Sequence, residues 1–237
     1  MLLALDTATG TASVALFDGE SVLGEVTWRG ERRAGDELFP QLERLLALAG
    51  VSLGQVDRVA VATGPGSFTG IRVGIAAARG LARASGAAVA GVSTLDVLAY
   101  PHASSGVRVC PLLPAGRDEW YAAFYEERGG AWERRSPYLA GTLADIAGHD
   151  HTRTLFVGEY ADDDALALRD LLGAKAAFAT PARRVRRAGY LAELGWAALE
   201  RGVAAGRDLE PVYVKSASIG GGGRIRRPEP VAAPRAE

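Results

Sequence analysis

The stretch VAVATGPGSFTGIRVGIAAARGLARA, from Val59 to Ala84, joins a short apolar run, a glycine-rich turn and a long helical pattern. The run Val59–Ala62 has the length and composition of a buried strand, and the turn formers that follow it end the strand. From Ile71 onward, apolar residues recur at helical spacing. Ser67 or Thr69 can cap this helix, because either hydroxyl can accept a free backbone N–H of the first turn. The stretch therefore predicts a strand–turn–helix unit.

Small residues are frequent in the predicted helix. Gly74 and Gly80 lie inside it, and each costs about 1 kcal/mol relative to alanine. Such residues are useful where another backbone must approach the helix closely. Two partners fit this pattern: the sheet of the same chain, or a helix of a second chain. The pattern by itself leaves both open.

The glycine-rich turn does not have the spacing of a common nucleotide-binding motif. Gly64-x-Gly66-x-x-x-Gly70 differs from the dinucleotide pattern G-x-G-x-x-G, and no lysine follows as in a phosphate loop. A helix N-terminus preceded by glycines can still bind an anion through its free N–H groups and its dipole. A tight turn that needs the backbone freedom of glycine is the simpler interpretation.

Composition is ordinary for a soluble globular protein. The 237 residues suffice for one large domain or two modest lobes, with 48% hydrophobic and 23% charged residues. A formal net charge of −1 gives the protein no overall electrostatic attraction to nucleic acid or to a membrane. The single cysteine, Cys110, excludes an internal disulfide and fits a reducing compartment. Because no run approaches membrane-spanning length and Asp6 follows the N-terminus too closely for a signal peptide, we predict a cytoplasmic protein without membrane contact.

The order of predicted elements indicates an α/β fold. An antiparallel meander opens the chain, with strands at Leu2–Leu5, Ser13–Phe17 and Ser21–Thr27. A helix at Asp36–Ala49, with Asp36 as its N-cap, precedes the strand–turn–helix unit, and a strand at Val89–Val92 follows it. This order is that of a ribonuclease H-like lobe, which actin, sugar kinases and heat-shock ATPases each use twice.

The second half of the chain repeats this plan less completely, so we predict two ribonuclease H-like lobes of which the second is abbreviated. The predicted boundaries are 1–102 for the N-terminal lobe, 103–216 for the smaller C-terminal lobe and 217–237 for a disordered tail. The tail begins near Gly220–Gly223 and continues in Arg, Pro and Ala without apolar periodicity.

Three longer motifs lie in the first half: LLALDTAT at Leu2–Thr9, GPGSFTGIRVGIA at Gly64–Ala76 and GVSTLDVLA at Gly91–Ala99. A weaker match is EPVYVK at Glu210–Lys215. With these motifs the chain resembles the TsaB family, also called YeaZ, the dimerisation subunit of bacterial threonylcarbamoyladenosine synthesis on tRNA. The central motif is long and specific.

This resemblance implies a non-catalytic subunit. Family members are similar in fold to the catalytic subunit TsaD but lack its metal-binding histidines. They bind TsaD, and in many bacteria the ATPase TsaE, so that threonylcarbamoyl passes from its adenylate to the adenosine 3′ of the anticodon. The resemblance further implies a homodimer when the chain is alone, tRNA contact only through the complex, no intrinsic cofactor, and ATP and magnesium on the partner subunits.

The family's dimer contact uses helices of the first lobe, which here are the predicted helices at 36–49 and 70–84. On this basis we predict the following partner-contacting residues: Leu38, Leu42, Leu45, Ile71, Arg72, Gly74, Ile75 and Ala78. The chain departs from the family where many relatives carry Asp-Ala-Arg, because it reads Pro-Ala-Gly-Arg at 114–117. A nucleotide role is therefore not expected at that hairpin.

A second hypothesis is a stand-alone ATP-binding or ATP-hydrolysing enzyme of the actin-like kinase/ATPase superfamily. Such a lobe uses a first-hairpin Asp near magnesium and small polar residues around phosphate, and Asp6, Thr7 and Thr9 could provide weak nucleotide contacts of this kind. Asp6 could instead accept hydrogen bonds from turn amides.

The remaining charged motifs predict no further site. His149-Asp150-His151 is interpreted as a solvated turn, and the H-E-x-x-H pattern of a metallopeptidase does not occur. We therefore predict no catalytic residue and no metal site. The arginines of 183–187 are predicted to form a solvated face and those of 224–227 a basic tail, with any tRNA phosphate contact a minor contribution within a complex.

Overall fold

The computed structural model describes residues 1–30, 34–149, 152–204 and 209–214. Two compact units follow from the contacts within the chain: Met1–Val97 with Arg186–Val212, and Leu98–Val185 with Tyr213 and Val214. The predicted tail at 217–237 lies outside the described residues. None of the described helices has the length and apolar character needed to cross a membrane.

The sheet of the first unit has five strands. They are β1 (Leu2–Asp6), β2 (Thr11–Phe17), β3 (Val22–Arg29), β4 (Arg58–Ala62) and β5 (Ala88–Val92). The order in the sheet is β3-β2-β1-β4-β5, with β1, β2 and β3 antiparallel and β4 parallel to both β1 and β5. This is the strand order of a ribonuclease H-like lobe, and the predicted fold class is confirmed.

Helices α1 (Ala34–Ala49), α2 (Phe68–Ser85) and α3 (Thr94–Ala99) belong wholly or mainly to the first unit. Ser67 caps α2, because its Oγ accepts the N–H of Gly70 at 3.3 Å. The predicted N-cap of α1 is wrong: the helix begins at Ala34, so Asp36 lies in its first turn and Pro40 inside it. An acidic residue in the first turn still interacts favourably with the helix dipole.

The second unit repeats the same strand order. Its strands are β6 (Arg108–Gly116), β7 (Glu119–Ala122), β8 (Tyr125–Arg128), β9 (Ala131–Arg134), β10 (Leu139–Gly141), β11 (Thr154–Gly158) and β12 (Ala176–Phe178). The main path is β10-β7-β6-β11-β12, and β8 and β9 form an additional hairpin that pairs with β6. Helices α4 (Leu143–Gly148) and α5 (Asp162–Leu172) are short. The second lobe is thus reduced in its helices, whereas its sheet is complete.

The last helix, α6 (Ala188–Glu200), packs on the sheet of the first unit. The predicted boundaries assigned it to the second lobe, so the observed division differs from the predicted one. A Cβ on Gly195 would lie 2.4 Å from the Cβ of Ala60, whereas a Cβ on Gly74 of α2 would approach Val61. Since successive strand residues point to opposite faces of a sheet, α6 and α2 cover opposite faces of β4. Both faces are therefore covered, which explains why β1 is buried along its whole length.

Candidate functional site

The connection between β1 and β2 packs directly against the start of α2. Thr7 Oγ1 donates to the carbonyl of Gly70 at 2.7 Å, and the N–H of Ser67 donates to the carbonyl of Ala8 at 2.6 Å. A Cβ on Gly66 would lie 2.2 Å from the carbonyl oxygen of Ala8, and one on Gly70 would lie 2.1 Å from that of Thr7. The glycines of the central motif therefore allow the hairpin backbone to touch the helix.

Asp6 forms a buried ion pair with Arg186. The guanidinium Nε donates to Asp6 Oδ2 at 2.5 Å, and the two side chains are 0% and 1% exposed. Arg186 Nη2 also donates to Thr9 Oγ1 at 3.0 Å and to the carbonyl of Thr11 at 2.6 Å. The other carboxylate oxygen accepts the N–H of Ala8 at 2.9 Å. Both oxygens of Asp6 are thus bound within the chain.

This arrangement does not fit a magnesium–nucleotide complex. Mg²⁺ keeps several water molecules and binds to accessible carboxylate oxygens. Asp6 Oδ2 instead accepts a hydrogen bond from the guanidinium of Arg186. Asp6, Thr7 and Thr9 do lie together as the sequence predicts, but their polar side-chain atoms are hydrogen-bonded to the chain itself. Their predicted role as weak nucleotide contacts is therefore corrected to a structural one. Among the described residues, no group of three or more His, Cys, Asp and Glu side chains could hold a metal ion.

Most of the side chains predicted to contact a partner lie in the core of the first unit. The buried ones are Leu38, Leu42, Leu45, Ile71, Gly74, Ile75 and Ala78. Arg72 is exposed. A Cβ on Gly74 would lie 2.6 Å from Thr7 Oγ1, so this glycine faces its own lobe. The assignment is corrected accordingly, because the apolar stripe of each helix covers the sheet of the same chain.

Outside their buried stripes, the same two helices carry exposed apolar and small residues. Phe39, Leu48 and Phe68 are 49%, 84% and 55% exposed. Arg72 lies with its guanidinium carbon 3.7 Å from the ring centroid of Phe68. Small residues continue along the exposed side of α2 at Ala76, Gly80 and Ala84. We call these seven residues the α1–α2 outer surface. Helical spacing could have identified them, since they lie between the buried positions of the same helices.

Comparison with known proteins identifies the family. The profile of "TsaD: tRNA N6-adenosine threonylcarbamoyltransferase" matches residues 29–179. The Bacillus subtilis protein named as tRNA threonylcarbamoyladenosine biosynthesis protein TsaB is 28% identical over 219 residues, covering 91% of this chain and 94% of that protein. The Escherichia coli TsaB is 35% identical over 134 residues, covering 55% of this chain and 58% of that protein. The solved structure of YeaZ from Pseudomonas aeruginosa has a TM-score of 0.71 at 29% identity, covering 90% of this chain and 99% of that one. The chain belongs to the TsaD-like family, in its TsaB (YeaZ) branch.

The family motifs of this TsaB relative form the contact between the β1–β2 connection and α2. The two motifs that carry most of the resemblance, LLALDTAT and GPGSFTGIRVGIA, form the hairpin and the helix start that touch each other. The TsaB signature of this chain therefore marks a packing unit of the first lobe.

The arginine cluster of this TsaB relative is bound within the chain. Arg184 Nη1 donates to the carbonyl of Tyr160 at 2.8 Å, and Arg186 is buried against Asp6. Arg187 donates two hydrogen bonds to Glu25, and this pairing raises the pKa of the Arg187 guanidinium. The predicted solvated face is therefore wrong for Arg186, which is buried, whereas Arg183 and Arg187 are exposed. The cluster at 224–227 lies outside the described residues.

The β6–β7 hairpin of the second unit, where an actin-like lobe would hold a second phosphate, lines a cavity of about 470 Å³ with α4 and α5. Its wall is largely apolar and includes Trp120 and Leu171. Asp118, Glu119 and Asp164 bring three carboxylates to the wall, against one guanidinium from Arg117. Because like charges repel, this balance disfavours a phosphate group.

Proposed function

We propose that this chain is the non-catalytic partner subunit of a tRNA threonylcarbamoyladenosine synthesis complex, and that it binds and activates a TsaD-like threonylcarbamoyltransferase. TsaB membership supports the pathway. The observation that carries the binding role is the α1–α2 outer surface, since its apolar side chains are exposed although the same helices also fill the core of the lobe.

The composition of this surface suits helix-on-helix packing. Exposed apolar area contributes about 25 cal/mol per Å² when it is removed from water, and Leu48 is 84% exposed. Small residues at Ala76 and Gly80 let a second helix approach the α2 backbone, because the distance between packed helices depends on the side chains at the contact. The surface would hold a TsaD-like subunit in the complex and a second copy of this chain in a homodimer, in competition.

The same proposal assigns no catalytic residue, metal or cofactor to this chain. ATP and magnesium would act on the TsaD-like subunit and on a TsaE-like ATPase, and tRNA would be contacted through the complex in the cytoplasm. The closed ion pair between Asp6 and Arg186 supports this assignment, because it leaves no carboxylate oxygen open at the first hairpin. A stand-alone ATPase would need that oxygen, so we do not favour it.

Reconstitution of tRNA modification with the TsaD-like protein of the same organism tests the proposal. We expect the wild-type chain to bind that protein and to be required for modification. Gly80→Leu should weaken binding at least tenfold while the monomer stays folded, since nothing lies within 4 Å of a Cβ at Gly80. Gly148→Leu in α4 is the matched control, because that site is equally open and belongs to the second unit.

Two results would contradict the proposal. If Gly80→Leu and Leu48→Glu bind and activate like the wild type, the contact lies elsewhere on the chain. If the purified chain alone hydrolyses Mg·ATP and Asp6→Asn abolishes the turnover, the non-catalytic assignment is wrong.

A further inference from the structure

We propose that Arg186 is the resident cation of the Asp6 site. Its guanidinium occupies the position at which an actin-like lobe would hold hydrated magnesium. It therefore prevents magnesium-bound nucleotide from binding at the first hairpin. This inference rests on the geometry of the first unit and does not depend on the proposed partner role.

The first step is the balance of charge. An ionised carboxylate is costly to bury unless it is paired and hydrogen-bonded, and Asp6 is 0% exposed. Arg186 provides the compensating charge from a side chain that is 1% exposed. A guanidinium stays protonated in proteins and presents its donors in a planar fork, which a lysine ammonium does not. The pair is therefore a permanent part of the fold.

The second step is the set of oxygen atoms around the guanidinium. It donates to a carboxylate of Asp6, a hydroxyl of Thr9 and a backbone carbonyl of Thr11. Carboxylate, hydroxyl and carbonyl oxygens are also the ligand types that hard divalent cations use. The chain thus builds an oxygen-lined cation site and fills it with its own side chain.

The third step concerns the space that phosphate would need beside this cation. Backbone N–H groups at the start of a helix are the usual phosphate donors. Here the N–H of Ser67 already donates to the carbonyl of Ala8, and the N–H of Gly70 donates to Ser67 Oγ. The carbonyl of Ala8 also lies where a side chain on Gly66 would be. Hairpin and helix are in contact, and no phosphate fits between them.

The position of Arg186 in the chain gives the pair a structural role as well. It lies 180 positions after Asp6 and two residues before α6. The ion pair therefore joins the beginning of the α6 segment to the end of β1.

Chemical rescue by guanidinium ion is the experiment. Arg186→Ala leaves a guanidinium-shaped space beside an unpaired carboxylate, so its melting temperature should fall strongly. Guanidinium chloride at low millimolar concentration should then raise the melting temperature of this variant by about 2–4 °C over sodium chloride at equal concentration. The wild type and Arg183→Ala should show no such rise, since the Arg183 side chain is exposed and in the same segment. In parallel, calorimetry with Mn²⁺ and ATP should show no binding to the wild type.

A second variant tests the proposal if Arg186→Ala does not fold. The double variant Asp6→Asn with Arg186→Met should fold and melt well above either single variant, because removing both charges leaves no unpaired buried charge. Three results would overturn the proposal: Mn²⁺·ATP binding to the wild type that Asp6→Asn abolishes, a folded Arg186→Ala variant without a guanidinium-specific rise, or a double variant no more stable than the single ones.

Discussion

At the scale of single residues, Arg186 shows that one arginine of a charged cluster can be buried and form an ion pair. Four arginines in five positions suggest a solvated face, because arginine is mostly exposed in folded proteins. In the structure Arg186 and Asp6 are both buried and neutralise each other. Their separation of 180 positions leaves no local pattern from which the pair could be inferred.

We expect Arg186→Ala to lower the free energy of unfolding by about 3–5 kcal/mol, because breaking a buried ion pair leaves one uncompensated charge. Arg183→Ala should change it by no more than about 0.5 kcal/mol, as for an ordinary exposed substitution. Urea titration of both variants measures the difference. Equal losses in the two variants would show that the buried pair adds nothing specific to stability.

His102 provides a pH-dependent prediction. Its side chain is buried, its Nε2 lies 3.0 Å from the carbonyl of Arg183, and burial lowers the pKa of the imidazole. Because the unfolded chain then binds a proton more readily than the folded one, the stability contributed by His102 is complete above the unfolded pKa of about 6.5 and is lost as the pH falls through the folded pKa.

The test compares the free energy of unfolding of the wild type and of His102→Gln between pH 8 and pH 5. The wild type should lose more stability on acidification than the variant does. Parallel curves would mean that His102 titrates alike in the folded and unfolded states. The comparison cancels every other titratable group, because both proteins share them.

At the scale of one element, α2 carries small residues toward two different surroundings. Gly70 and Gly74 face the β1–β2 hairpin, where Cβ atoms would collide with atoms of Thr7. Gly80 faces open space. Of the two alternatives that the sequence left open, packing within the same chain applies to Gly70 and Gly74, and contact of Gly80 with a second chain stays a prediction.

A matched pair of substitutions separates these surroundings. Gly74→Ala should destabilise the chain by about 1–3 kcal/mol through overpacking, because its Cβ would lie 2.6 Å from Thr7 Oγ1. Gly80→Ala should stabilise the chain by about 0.5–1 kcal/mol through helix propensity alone. Thermal unfolding of the two variants gives the answer. If Gly74→Ala leaves the stability of the chain unchanged, that face of α2 does not pack against the hairpin.

At the scale of the whole molecule, the chain returns to its first unit at Arg186, after most of the second unit. Residues Arg186–Val212 rejoin Met1–Val97, and α6 contributes buried Leu191, Leu194 and Ala198 to the first unit. The C-terminal segment is also held by hydrogen bonds, because Val212 donates to the carbonyl of Thr63 and Arg79 to that of Leu209. The first lobe therefore requires residues from both ends of the sequence.

A fragment of residues 1–102, the lobe as predicted from the sequence, should consequently not fold stably alone. Its sheet would expose the apolar surface that α6 covers in the intact chain. Adding a peptide of residues 186–214 should restore a cooperative thermal transition, which circular dichroism can follow. A scrambled peptide of the same composition is the control. A cooperative transition of the fragment by itself would contradict this view of α6.

The sequence alone was sufficient for features that contiguous residues determine: the order of strands and helices along the first lobe, a helix cap at Ser67 or Thr69, the glycine-rich turn and the TsaB motifs. Hydrogen bonding, backbone conformation and side-chain period act over a few residues, so a linear pattern records them. Only the tertiary structure decided which surface each pattern faces. Helical spacing marks the apolar stripe of α1 and α2, but the same stripe can cover a partner or the chain's own sheet. Likewise the pairing of Asp6 with Arg186 and the placement of α6 on the first sheet join residues far apart in the chain, and burial of charge and apolar area in three dimensions selects them.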